Sequence, residues 1–324
     1  VLLRFDAAMA NARVLLNGVE LITHADGYTP FEARLTGQVL AGDNTVTVEI
    51  DGSENPEIPP FGGVIDYLTY AGLYREVWLI VKAPVSIGLH KIETPYVLAA
   101  QKSVTVDVAL DNPQGLPLSG SLTATLRDAA GQDVASTRAT VTGDGLRIEL
   151  AGLTGIALWD IQNPALYHLH LDLETPHGRD ATATRFGFRH VAFTAEGFAL
   201  NGKPLKLRGL NRHQSFPYVG YALGRAAQER DADILKYGLR LNTVRTSHYP
   251  QSGYFLDRCD EIGLLVFEEI PGWQHIGGEK WKAESVENVR RMIRRDWNHP
   301  SIFIWGVRIN ESQDDHDFYA ETNR

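Results

Sequence analysis

The stretch Ser301–Ser312, SIFIWGVRINES, runs through an almost unbroken apolar segment to Trp305, passes one arginine and stops on Asn310 and Glu311. A short apolar run of this kind reads as a strand covered on both faces. An asparagine and a carboxylic acid at its end read as chemistry carried on the C-terminal end of a parallel strand. The pattern recurs upstream. PLKLRGLNRH (204–213) ends in Asn211, Arg212 and His213; LNTVRTSHYP (241–250) in Arg245, Ser247 and His248; LLVFEEIPG (264–272) in Glu268 and Glu269. Between these strands lie helical segments. GRAAQERDADILKYG stops at Gly238, and GYFLDRCDEIG stops at Gly263. ESVENVRRMIRRDWNHP puts Val286, Val289, Met292 and Ile293 on one face and stops before Pro300. Strand alternating with helix four times predicts a parallel sheet, apolar throughout its strands. Polar clusters at all four strand ends predict the first half of a (β/α)₈ TIM barrel. A doubly wound open sheet would want a glycine-rich phosphate loop, and the sequence has none.

Upstream of Val191 the texture is β-rich. ARVLLNGVEL carries an Asn17-Gly18 hairpin signal, NTVTVEIDG alternates strictly, and GLYREVWLIV (Gly72–Val81) reads as a strand. Ala83-Pro84 marks a boundary. Beyond it SVTVDVAL, GSLTATLRD, TRATVTG, LRIELAGL and LYHLHLDLE are short alternating strands with regular turns, the pattern of an immunoglobulin-like β-sandwich. The expected organisation is therefore a β-sandwich over 1–84, an immunoglobulin-like sandwich over 85–190 and a half barrel over 191–324.

Bulk properties narrow the function. The 324 residues carry a formal net charge of −9 with dispersed Lys and Arg, which argues against nucleic acid as a partner. No apolar run reaches membrane-spanning length. Cys259 is the single cysteine, so no internal disulfide or thiol metal cluster can form. The lone thiol and the lack of a leader-like segment point to the cytoplasm. The opening VLLRFDAAMANARVLLNG reads as the middle of a domain, so an upstream signal is compatible with the sequence as well.

Taken together, several motifs resemble glycoside hydrolase family 2, the family of β-galactosidases, β-glucuronidases and β-mannosidases. NGVELITHADGYTPFEARLT and YAGLYREVWL resemble its N-terminal jelly-roll sugar-binding domain. ALWDIQNPALYHLHLDL and RFGFRHV resemble the end of its immunoglobulin-like domain. LRGLNRHQ, LNTVRTSHYP, RRDWNHPSIFIWG and NES resemble successive barrel blocks, in the family's order. The resemblance covers essentially the whole chain.

The resemblance implies roles. Glu311 would be the general acid/base, protonating the leaving group and then activating water. An isolated strand-end glutamate more often caps or pairs with arginine; Asn310 before it and the surrounding motifs favour chemistry here. Trp305 and the apolar strand would desolvate the acid and raise its pKa. Asn310 would bond the sugar 2-hydroxyl. His248 would contact sugar hydroxyls, or be a core histidine satisfied by backbone. Arg245 would orient carboxylates, or form an ion pair inside the barrel, or both. Arg212 and His213 end the first strand; the likeness makes His213 a pocket residue, against a plain rim hydrogen bond. Glu269 would hold Arg245 or His248. Trp273 would stack on a sugar ring or simply pack. Asp66, six residues before Gly72, would reach the sugar from the first domain, or be a solvated loop residue.

Two features depart from the family pattern. Val307-Arg308-Ile309 stands where the family usually has a small, glycine-containing turn. The galactosidase branch also binds Mg²⁺ with acidic and histidine side chains just after the third strand, together with the catalytic acid. Here that stretch is IPGWQHIGG, in which only His275 is a candidate, so no metal ligands are assigned. The family nucleophile is a glutamate on the seventh barrel strand, beyond Arg324. The expectation is a fragment of a retaining exo-β-glycosidase, most simply a β-galactosidase, inactive alone and prone to self-association through open sheet edges. A β-glucuronidase of the same family and a non-catalytic carbohydrate-binding protein are the alternatives. A spacer of stacked sandwiches would have no use for four polar strand ends.

Overall fold

The computed structural model describes all residues, 1–324. The first unit holds two three-stranded antiparallel sheets. Leu2–Phe5 lies between Phe31–Arg34 and Val77–Ile80; Asn11–Leu16 lies between Val19–Ala25 and Val46–Asp51. Asn17 and Gly18 both have positive φ (52° and 83°), the geometry a two-residue hairpin of type I′ needs. Along Val46–Asp51 the pleat turns Val48 and Ile50 onto the core of Phe5, Val14 and Phe31 and leaves Thr47, Glu49 and Asp51 outside.

In the second unit a four-stranded sheet (Asp133–Val141, Gly120–Arg127, Tyr167–Thr175, Gly178–Phe186) faces a three-stranded one (Gly145–Leu153, Lys102–Asp111, Ser86–Glu93). Leu122, Ala124 and Leu126 from one sheet and Val104, Val106 and Val108 from the other fill the space between them, each set at period two. Two of these strands were not read from the sequence. Ser86–Glu93 is interrupted by Gly88, and Gly178–Phe186 is a polar edge strand.

The third unit opens with a small hairpin sheet (Val191–Thr194, Gly197–Leu200, Lys203–Pro204). Four parallel strands follow in chain order: Gly209–Asn211, Thr243–Arg245, Leu265–Glu269 and Ile302–Gly306. Helices α1 (Arg225–Asp233), α2 (Gly253–Ile262), α3 (Glu279–Asp296) and α4 (His316–Thr322) alternate with them. Helix α1 runs into a wider turn, closed where Leu239 N donates to Ile234 O. Helix α2 ends on Gly263 at φ 71°, a left-handed cap that glycine adopts without a Cβ penalty. Helix α3 buries Val286, Val289 and Met292 on the predicted face.

One expectation fails. The strand predicted over 204–213 shrinks to three residues, and it is not covered on both faces. Leu210 is 53% exposed, on one of the two edge strands of this sheet, where Gly209–Asn211 pairs only with Thr243–Arg245. Leu265–Glu269, flanked by strands on both sides, fits the apolar-strand reading: all of its residues but Phe267 are buried.

The units are bolted together by polar contacts. Trp159 Nε1 donates to Asp260 O (2.8 Å), Trp297 Nε1 to His90 O (2.9 Å), and Arg189 reaches the carbonyls of Pro300 and Ile302. From the first unit, Arg75 donates to Tyr28 O, Pro250 O and Gln214 Oε1, tying it to the loops that follow two parallel strands.

Candidate active site

The ends of the four parallel strands converge on one mouth. Glu269, the last residue of its strand, is buried, with a side chain 3% exposed. Its Oε2 accepts Arg245 Nε at 2.8 Å and its Oε1 accepts His248 Nδ1 at 2.5 Å. A carboxylate only accepts, so the His248 proton sits on Nδ1 and Nε2 is left for a ligand. Arg245 also donates from Nη2 to Asn310 Oδ1 at 2.9 Å. One guanidinium thus joins the ends of the third and fourth strands, with its carbon 5.4 Å from the centre of the Phe267 ring. Of the two consecutive acids in this strand, Glu269 turns to the mouth and Glu268 to the helices, where Arg295 meets it at 3.0 Å. Burial, and then the charge of Asp296, hold the Glu268 carboxyl well above the usual carboxylate range.

His213 stands at right angles to His248, ring centres 5.6 Å apart. The Tyr249 hydroxyl accepts Gln214 N–H and lies 3.2 Å from His213 Nδ1, placed to donate to it. Burial, with the neighbouring His248, holds the His213 imidazole below its ordinary value. Asp66, exposed on a first-unit loop, is near enough for its charge to act on His213 in the opposite sense. Trp273 is half-buried, its backbone pairs with Asn310 in a parallel bridge, and its Nε1 is buried without a partner.

Arg212 is not brought to the mouth. It is buried among the helices, pairing with Asp231 (2.7 Å), donating to Gln228 and Gln251 and lying 4.1 Å from the centre of the Phe255 ring. Its role is to pin the end of the first strand to α1 and α2.

Glu311 is exposed and has a φ of 55°. The desolvation expected from Trp305 is absent. That ring packs instead against the cluster of Val289, Met292 and Ile270 and does not cover the acid. The Val307-Arg308-Ile309 departure is absorbed locally. Ile309 is buried against Gly272, while Arg308 turns outward to Asp314 (2.5 Å) and lies over the Tyr319 ring.

Two further residues neighbour the site. Gln274 Nε2 donates to Glu311 Oε2 at 3.1 Å. The Tyr67 ring packs on His213, His248 and Tyr249, at 5.5, 6.1 and 5.1 Å, with its hydroxyl buried and unpartnered. Only adjacency to Asp66 in the sequence pointed toward Tyr67.

The residues after the third strand do not suit the magnesium ion of the galactosidase branch. Ile270–Gly278 contains no carboxylate, Gln274 rather than an acid meets Glu311, and the His275 ring lies against Gly62 and Gly63 of the first unit. A second acidic group, Asp257, Asp260 and His299, lies outside the mouth and is satisfied by ion pairs: Asp257 with Arg185 and Asp260 with His299.

Family models agree with this geometry. That of glycosyl hydrolases family 2 matches residues 88–189, and that of the glycosyl hydrolases family 2 TIM barrel domain matches 191–323. The chain belongs to glycosyl hydrolase family 2. Its parallel sheet is accordingly part of a family-2 TIM barrel. Among family members, the chain is 55% identical to a β-galactosidase of Rhizobium meliloti, over 92% of this chain and 40% of that protein. It is 47% identical to a β-galactosidase of Thermoanaerobacterium thermosulfurigenes, over 100% of this chain and 46% of that one. Among solved structures, the β-glucuronidase of Parabacteroides merdae superposes with a TM-score of 0.86 at 29% identity, over 94% of this chain and 41% of that one. The chain spans less than half the length of each of these family-2 relatives. No helix is long and apolar enough to cross a membrane.

Proposed function

We propose that the chain forms the acid/base half of a retaining, exo-acting β-galactosidase. The observation that carries this reading is the linked set Glu269–Arg245–Asn310, which fixes the residue preceding Glu311 beside His248 at the strand ends. Glu311 gives its proton to the glycosidic oxygen as the bond to the anomeric carbon breaks, then takes a proton from the water that releases the sugar. Asn310 faces the 2-hydroxyl. His248 through Nε2, His213 and Asp66 bind further hydroxyls, and Trp273 lines the ring.

Retention requires a second carboxylate about 5–5.5 Å from the first. Glu269 is a poor candidate, since both of its oxygens are engaged by cation and imidazole. We assign the nucleophile to a glutamate outside residues 1–324. Within the chain we assign 1–84 to a jelly-roll sugar-binding domain, 85–190 to an immunoglobulin-like sandwich and 191–324 to the first half of the barrel. The two-sheet arrangements of the first two units support this. The two β-galactosidase relatives at 55% and 47% identity favour a terminal β-galactoside over a β-glucuronide as substrate.

Hydrolysis of chromogenic β-galactoside, β-glucuronide, β-mannoside and β-glucoside by the full-length protein tests the proposal, beside its Glu311→Gln variant. The galactoside is cleaved, and the variant loses at least about 10²-fold, the usual contribution of a general acid. Residues 1–324 alone turn over nothing. Activity confined to another glycoside, or undiminished in the variant, sinks the assignment.

A further inference from the structure

Gln274 and Glu311 are both non-glycine residues held at positive φ, 58° and 55°, and they face each other. Such conformations persist where surrounding contacts over-determine them, and they concentrate at functional sites. Here the contacts can be named. Gln274 N donates to Asn310 O at 2.7 Å, Trp273 bridges Asn310, and Gln274 Nε2 donates to Glu311 Oε2 at 3.1 Å.

The other side of this loop is gripped by the first unit. His275 lies on Gly62 and Gly63. A Cβ at Gly62 would fall 2.4 Å from His275 Nε2, and one at Gly63 would fall 3.0 Å from its Cβ. Gly62 also has a φ of 111°, so the position demands glycine twice over. Trp281 stands edge-on to His275 at 5.9 Å and donates Nε1 to Phe61 O at 2.9 Å, while Lys280 pairs with Glu57 at 2.5 Å.

We propose that Gln274 is the positioning residue of the acid/base Glu311, and that the first unit sets it through the Gly62–Gly63 seat beneath His275. This rests on the reading of Glu311 as the acid. The chemistry of an amide suits the task. A lysine or arginine there would hold Glu311 permanently as the anion. An amide orients one oxygen, leaves the other for the glycosidic bond, and offers both a donor and an acceptor as the carboxyl gains and loses its proton.

The first test reads geometry without hydrolysis. The side-chain amide NMR signal of Gln274 is followed in the full-length protein and in its Glu311→Gln, Gly62→Ala and His275→Ala variants. All three displace it. Gly37→Ala, at an open turn with the same sign of φ and nothing within 4 Å, leaves it in place. His275→Ala releases the loop without adding bulk, so it decides the matter where Gly62→Ala fails to fold. A Gln274 signal indifferent to His275→Ala overturns the seat, and one indifferent to Glu311→Gln overturns the pairing.

The second test uses the full-length protein and Gln274→Leu. For methyl β-galactoside, whose leaving group needs a proton, kcat/KM falls about tenfold or more, while for the dinitrophenyl β-galactoside kcat/KM changes less than about twofold. Equal losses on both substrates mean a merely structural residue and overturn the role. If the full-length protein cleaves neither, the functional reading falls, and the NMR result still decides whether Gln274 positions Glu311.

Discussion

His248 Nδ1 and Glu269 Oε1 meet at 2.5 Å, with side chains only 7% and 3% exposed. The same carboxylate receives Arg245, so one buried acid holds two groups that face the mouth. Glu269→Ala would leave His248 without its carboxylate and Arg245 with Asn310 alone. Removing one member of a buried pair costs about 3–5 kcal/mol. Urea unfolding of Glu269→Ala should show a loss of that order. Glu269→Gln should fold better while freeing His248 to turn. A variant as stable as the parent would mean that solvent satisfies Arg245 and His248.

Arg212 tests the opposite case, a buried cation with no share in the site. Arg212→Lys keeps the charge but loses the fork that reaches Asp231, Gln228 and Gln251 together. Stability should fall by roughly 2–3 kcal/mol, the cost of unmet hydrogen bonds to a charged group. Substrate affinity of the full-length protein should hold. A change in KM without a change in stability would move Arg212 into the site.

Two histidines give stability opposite slopes with pH. Burial opposes the charge of His299, but Asp260, Asp296 and Asp257 outweigh it and push its pKa up to about 9 from 6.5. Its contribution is complete below 6.5 and is lost as pH rises through 9. Burial pushes His24 down to about 4, only partly offset by Asp26, so stability is lost as pH falls from 6.5 toward 4. Melting curves of His299→Asn should be flatter than the parent's on the alkaline side, and those of His24→Phe flatter on the acid side. Parallel curves would refute the assignment.

Open apolar surface predicts association. Leu210 on the outer strand, with Ile234, Tyr237 and Leu239 in the wider turn after α1, is exposed. Residues 1–324 alone should form dimers or larger species in sedimentation velocity, and Leu210→Lys with Leu239→Glu should shift them toward monomer. A monomeric parent would leave the exposed strand without a consequence.

What could be read from residues and what could not follows from the range of the forces. Asn17-Gly18 and Gly263 declare their turns because positive φ is a local demand. The four strand–helix repeats declare a parallel sheet because burial imposes periodicity, as Val286, Val289 and Met292 show on α3. Glu269 and Arg245 were legible as a strand-end acid and base. Gln274 was not, since its partner lies 37 residues away and a glutamine in a loop resembles any solvated amide. Gly62 was hidden for the same reason, its requirement set by an imidazole from another unit. Trp305 is near Glu311 along the chain but not in space, its ring being turned toward Val289 and Met292.

Arg189 gives its guanidinium to the carbonyls of Pro300 and Ile302, and Gly187 leaves no room for a side chain against Trp159 and Pro300. The second sandwich therefore supplies a wall of the mould in which the Ile302–Gly306 strand is cast. A gene cut at residue 190 would separate stretches of sequence that are one object thermodynamically. Transplanting this barrel onto a foreign sandwich would carry over the strand-end letters and lose the scaffold that keeps them in register.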